Sequence, residues 1–167
     1  MRKTVKVIVS GDGGVGKTSF LNRLIHDNFN VNNELTKGID FFSKNLLING
    51  QEYNFVMWDF AGQIQFKKIL DDFVDGSIAA FVLFDLSRFN TLSGVEEWIK
   101  KLNENGNIPI FILGNKSDTI DVYECKAFDD SIIDIIKRYN NIIGYLKISS
   151  KTGENVKQAF LSLIERI

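Results

Sequence analysis

The chain has 167 residues, 44% of them hydrophobic and 25% charged, enough to bury one substantial core and too few for two ordinary domains. A formal net charge of −1 gives no electrostatic reason to expect nucleic acid or a general pull toward anionic membrane. The single cysteine, Cys125, excludes an internal disulfide and suits a reducing cytosol, and with a single histidine, His26, no His/Cys zinc cluster can form.

Val5 to Ser10 is a short apolar run and reads as strand 1. It feeds Gly11-Asp12-Gly13-Gly14-Val15-Gly16-Lys17-Thr18-Ser19, in which Gly11, four residues and Gly16-Lys17-Thr18 have the spacing of a phosphate-binding loop. Glycines are needed there because the backbone must close around a phosphate with its N–H groups inward. Lys17 would then reach the β- and γ-phosphates, Thr18 would offer its hydroxyl to Mg²⁺, and the next helix would place its partial positive end beneath the β-phosphate. Phe20, Leu21, Leu24 and Ile25 share one face of that helix.

Asp27 to Gly38 is polar, Asn-rich and aperiodic, a surface loop whose exceptions are Phe29 and Thr36. Ile39 to Ile48 and Glu52 to Asp59 read as strands 2 and 3, joined by Asn49-Gly50 in a tight hairpin turn and so antiparallel. The pattern blurs from Ile64 to Gly76, where an irregular helix is expected. Ile78 to Phe84 is seven apolar residues without alternation, as in a strand covered on both faces. Val95, Trp98, Ile99 and Leu102 mark helix 3, with Thr91 or Ser93 near its cap. Strand 5 is expected over Ile108 to Leu113, helix 4 over the stretch holding Ile132 to Tyr139, strand 6 over Tyr145 to Ile148, and helix 5 carries Val156, Phe160, Leu163, Ile164 and Ile167.

Strands alternating with helices imply right-handed crossovers and a mostly parallel six-stranded sheet between two helical layers, with strand 2 the antiparallel member. Ligands bind beyond the carboxyl ends of the strands in such α/β sheets. Four candidate segments fall there: the glycine loop after strand 1, Asp59 to Gln63 after strand 3, Asn115-Lys116-Ser117-Asp118 after strand 5, and Ser149-Ser150-Lys151 after strand 6. No run approaches the roughly eighteen apolar residues of a transmembrane helix. The last residues, Leu163 to Ile167, hold neither cysteine nor polybasic run. One cytoplasmic domain over residues 1–167, working as a monomer, is therefore expected, with peripheral membrane association only through a lipidated tail missing from this chain.

Taken together, these motifs resemble those of small GTPases of the Ras superfamily, nearest the Rab branch, and the resemblance runs from Lys6 to Phe160. Thr36-Lys37-Gly38-Ile39-Asp40-Phe41 resembles the Rab switch I segment and Trp58-Asp59-Phe60-Ala61-Gly62-Gln63 the start of switch II. The resemblance implies a P-loop NTPase (G-domain) fold, GTP or GDP with Mg²⁺ as ligands, and effector, exchange-factor and GTPase-activating partners at the switches. Asn115 would tie its loop to the phosphate loop, Lys116 would cover the base, Asp118 would accept two hydrogen bonds from guanine, Ser150 would offer its N–H to the guanine oxygen, and Phe29 would pack edge-on against the base. Adenine presents no such donor pair to Asp118, and an unpaired buried carboxylate costs several kcal/mol. Thr36 and Thr18 would ligate Mg²⁺ with Asp59 acting through water, Gly62 would bond the γ-phosphate, and Gln63 would orient the attacking water. Phe41, Trp58 and Phe73 match an apolar partner surface between the switches.

No arginine occurs between Arg23 and Arg88, so neither switch supplies an arginine finger. That forfeits roughly 10³ to 10⁵ in rate, about 4 to 7 kcal/mol, and implies slow intrinsic hydrolysis and dependence on an activating protein. The chain departs from the Rab pattern at Asn33, Lys37 and Ile64-Gln65, positions that bear on partner identity. Two other classes compete with the switch: a hydrolysis-deficient nucleotide-binding scaffold of the same fold, and a P-loop ATPase or nucleotide kinase.

Overall fold

The computed structural model describes residues 1–32, 34–62 and 69–167. Asn33 and the segment 63–68, with the expected water-orienting Gln63, lie outside the described residues. Six strands, β1 (Lys3–Gly11), β2 (Ile39–Ile48), β3 (Gln51–Phe60), β4 (Ser77–Asp85), β5 (Ile110–Asn115) and β6 (Ile142–Lys147), form one sheet in the order β2-β3-β1-β4-β5-β6. β2 runs antiparallel to β3, and every other pairing is parallel. The helices are α1 (Lys17–His26), α2 (Leu70–Val74), α3 (Asn90–Asn103), α4 (Cys125–Arg138) and α5 (Val156–Ile164).

The unbroken apolar run of β4 serves two cores at once. Ala79, Phe81 and Leu83 join Val7 and Val9 of β1 in a core closed by Phe20, Leu21 and Leu24 of α1 and Phe160 and Leu163 of α5. Ala80, Val82 and Phe84 point the other way, onto Val95, Trp98 and Ile99 of α3, Ile132 and Ile135 of α4, and Leu70 and Val74 of α2. Period-two alternation along the strand thus accounts for an all-apolar sequence. β2, at the sheet edge, alternates exposed and half-buried residues. Its turn to β3 has positive φ at both Asn49 and Gly50, as a two-residue type I′ hairpin requires.

Several boundaries differ from the sequence expectation. β5 begins at Ile110 and not Ile108, because Pro109 has no N–H to donate; its carbonyl still accepts from Ala80 N–H at 2.9 Å. β6 begins at Ile142, ahead of Gly144, whose bare Cα leaves room for the Phe111 ring. Ile148 lies past its end, although its N–H still bonds the Gly114 carbonyl at 2.8 Å. Neither Thr91 nor Ser93 caps α3. The N-cap is Phe89, and the Thr91 hydroxyl instead accepts from Asp85 N–H at 2.9 Å and donates to the Arg88 carbonyl at 2.7 Å.

Candidate functional site

From the carboxyl end of β1 the chain runs toward β2 on one side, and from that of its neighbour β4 toward β5 on the other, so a crevice opens between the two ends. A cavity of about 370 Å³ occupies the crevice. Gly13, Gly14, Gly16, Lys17, Thr18 and Ser19 form its floor, Phe29, Thr36 and Gly62 one wall, and Asn115, Lys116, Asp118, Ser150 and Lys151 the other. Fourteen of the residues expected from sequence therefore meet in one place, including the lysine and the carboxylate that the sequence separates by about a hundred positions. Val31 and Leu35, which the sequence did not mark, also line it.

Four of the remaining expected residues support the cavity from behind. Val15 is fully buried in the core beneath the loop. Asp12 turns its carboxylate away from the cavity to accept from Trp98 Nε1–H of α3 at 2.9 Å. Ser149 is buried and donates its hydroxyl to Asp118 Oδ1 at 2.6 Å, fixing that carboxylate's orientation. Gly11 ends β1, and its carbonyl accepts from Lys17 Nζ at 2.8 Å.

Lys17 also donates to the Asp12 carbonyl at 2.9 Å, so the ammonium sits folded into its own loop. Burial lowers its pKa to about 8, with the charges of Asp59 and Asp12 pulling it back up. Asn115 joins three loops: its amide donates to the Val15 carbonyl at 2.9 Å, and its Oδ1 accepts from both the N–H and the hydroxyl of Ser150 at 3.1 Å. Gly16 is required at that junction. It holds φ +96° at the start of α1, and any Cβ there would collide with the Asn115 amide. Gly62 lies equally close to the loop backbone at Asp12 and Gly13.

Thr18, Thr36 and Asp59 converge from three segments. The Thr18 hydroxyl donates to Asp59 Oδ2, and the Thr36 hydroxyl lies 2.6 Å from Thr18 Oγ1. Asp59 Oδ1 is buried without a hydrogen-bond partner. Burial pushes the Asp59 pKa up to about 6, against the Thr18 hydrogen bond and the Lys17 charge. Two hydroxyls and one buried carboxylate with an oxygen to spare fit Mg²⁺, which keeps several waters and shares a site with phosphates, better than a metal needing an all-protein cage. No group of three or more His, Cys, Asp or Glu side chains that could hold a metal occurs among the described residues.

An arrangement that sequence reasoning missed sits beneath the base side. Asp85, at the end of β4 and fully buried, accepts from Lys116 Nζ at 2.6 Å, Arg88 Nε at 2.9 Å, and Ser87 N–H and hydroxyl at 2.8 and 2.6 Å. Each cation also holds a phosphate-loop carbonyl: Lys116 that of Gly14 and Arg88 that of Gly13, both at 3.0 Å. Burial raises the Asp85 pKa, but the hydrogen bonds from Lys116, Ser87 and Arg88 outweigh it and leave it below the usual carboxylate value. The only sequence signal was an aspartate closing a wholly apolar strand.

The aromatic trio is contiguous. Phe41 stands edge-on to Trp58 with ring centroids 4.7 Å apart, and Phe73 follows Trp58 at 5.5 Å. Trp58 and Phe73 are half-buried against the second core while Phe41 is 60% exposed. Lys6 Nζ lies 3.9 Å from the centroid of the Trp58 ring, a cation–π contact.

A family model described as the Ras family matches residues 6–167. The Ras-related protein Rab-22A of Homo sapiens is 33% identical over 172 residues, covering 99% of this chain and 84% of that protein, and Rab-22A of Canis lupus familiaris matches with the same identity and coverage.

Proposed function

The chain belongs to the Ras family, as a Rab-like small GTPase, and we propose on that premise that it hydrolyses GTP to GDP and phosphate and uses the terminal phosphate to set the conformation of its switch loops. The observation that carries this reading is the meeting of the Lys17 loop and Asp118 in one cavity. A glycine loop alone accepts any nucleoside triphosphate. With a carboxylate held by Ser149 at the far wall, the site selects a base offering two adjacent donors, which is guanine.

In this mechanism the loop N–H groups and Lys17 bind the β- and γ-phosphates. Thr18 and Thr36, with Asp59 through water, would hold Mg²⁺, which would supply neutralising charge to the phosphate oxygens. Thr36 and Gly62 close over the γ-phosphate, and Gln63 orients the attacking water. When the phosphate leaves, both segments lose their tether, the order-to-disorder switch expected of this chemistry. With no arginine between Arg23 and Arg88, hydrolysis is slow until an activating protein supplies a cation. Phe41, Trp58 and Phe73 form the surface that effectors, and exchange and activating proteins, read. We place the domain, residues 1–167, in the cytoplasm as a monomer acting in vesicle traffic.

Single-turnover hydrolysis tests the proposal. Protein loaded with GTP and Mg²⁺ should release one phosphate per chain, with a rate constant on the order of 10⁻⁴ s⁻¹. GTP persisting unchanged for days would favour the nucleotide-holding scaffold. Displacement of bound GDP by ATP as readily as by GTP would overturn the role of Asp118.

A further inference from the structure

Arg23 lies near the end of α1 and belongs to none of the motifs. Its guanidinium donates from Nε to the Ser150 carbonyl at 2.9 Å, from Nη2 to the Lys151 carbonyl, and from Nη1 to the Asp27 carbonyl at 3.1 Å. A weaker contact at 3.3 Å reaches the Asp27 carboxylate, whose side chain is 73% exposed, whereas that of Arg23 is only 17% exposed. Three backbone carbonyls, not a counter-ion, therefore fix this side chain.

Two of those carbonyls, of Ser150 and Lys151, belong to one wall of the cavity, and the third, of Asp27, lies where α1 passes into the segment that carries Phe29 of the other. Asp27 ends α1 in the left-handed conformation, φ 52°, and is two residues ahead of Phe29. Ser150 and Lys151 line the other wall, and Ser150 is held in turn by Asn115. We propose that Arg23 is a positioning residue that sets how long nucleotide stays bound, by clipping the base-binding loop to the root of the first switch segment. The planar fork of Arg23 ties the Ser150-Lys151 wall to the end of α1 with three rigid donors, so moving that wall away from the segment that carries Phe29 breaks its hydrogen bonds. Lysine, a point charge on a flexible stem, cannot span the two in the same way. Because the clip is on the base side, it acts independently of the Thr18, Thr36 and Asp59 group that faces the phosphates.

This inference rests on the guanine-nucleotide reading, and the test separates the two. Wild type, Arg23→Gln, Arg23→Lys and the core variant Ile132→Val are loaded with fluorescent GDP and chased with excess unlabelled GDP, in Mg²⁺ and in EDTA. Losing hydrogen bonds to a charged donor predicts that Arg23→Gln releases GDP about ten- to a hundred-fold faster. Arg23→Lys should recover only part of the difference, the fold acceleration by EDTA should match wild type, and Ile132→Val should lower the melting temperature without changing release. Wild-type release from Arg23→Gln, a changed EDTA ratio, or equal acceleration in Ile132→Val would each overturn the proposal. Failure of wild type to hold fluorescent GDP at all would instead overturn the nucleotide reading on which it rests.

Discussion

Replacing Asp85 with Asn keeps the side chain's size and removes its charge. The amide oxygen can still accept from Ser87 N–H and hydroxyl, but the amide NH₂ then faces Arg88 Nε and Lys116 Nζ, donor against donor. Two charge-assisted hydrogen bonds are lost, each roughly 1.5–3 kcal/mol. Arg88 and Lys116 are 42% and 37% exposed, so water recovers part of their solvation, and about half the gross value, roughly 1.5–3 kcal/mol, is expected to remain. For a chain of this size that corresponds to a fall in melting temperature of roughly 5–10 °C. The freed carbonyls of Gly13 and Gly14 should also loosen the phosphate loop and speed GDP release.

The pH dependence follows from the sign of the shift. The folded-state pKa of Asp85 is depressed, so its contribution is fully present above the unfolded carboxylate pKa and is lost as pH falls through the folded value. Melting curves of wild type and Asp85→Asn should therefore differ at neutral pH and converge under acid. A melting temperature unchanged at pH 7, with wild-type GDP release, would refute the claim that this buried carboxylate organises the loop through its two cations.

Two other substitutions probe separate parts of the site. Asp118→Asn presents a donor where guanine's exocyclic amine needs an acceptor, so affinity should fall for GTP and rise for xanthosine triphosphate, which carries an oxygen there; competition binding with the two nucleotides checks it. Gly94→Ala places a Cβ against the Asp12 carboxylate and should disrupt its bond to Trp98, destabilising the protein by about 1–3 kcal/mol in chemical denaturation despite alanine's better helix propensity.

Legibility in the sequence followed the range of the interactions. Strand faces, the Asn49-Gly50 turn and the four motif loops depend on neighbours in the chain, and the cavity assembled from them is lined by Lys17, Thr18, Thr36, Asn115, Lys116 and Asp118. What stayed hidden depends on sheet order. Asp85 and Lys116 meet because β4 and β5 pair in register, Asp85 against Asn115, and no spacing rule announces that. Arg23 meets Ser150 only once α1 and α5 pack on the same face of the sheet. Gly94 carried a faint signal: a glycine inside an otherwise regular helix weakens it unless something needs the space, and here the Asp12 carboxylate does.

On the proposed function, one cavity holds a guanine nucleotide by its phosphates and its base together. Chromatography of the nucleotide released when the purified protein is denatured tests it most directly. GDP or GTP is expected at about one per chain, given the affinity of a loop and carboxylate acting on one ligand. An adenine nucleotide in that position, or a protein that neither carries nor can be loaded with a guanine nucleotide, would contradict it.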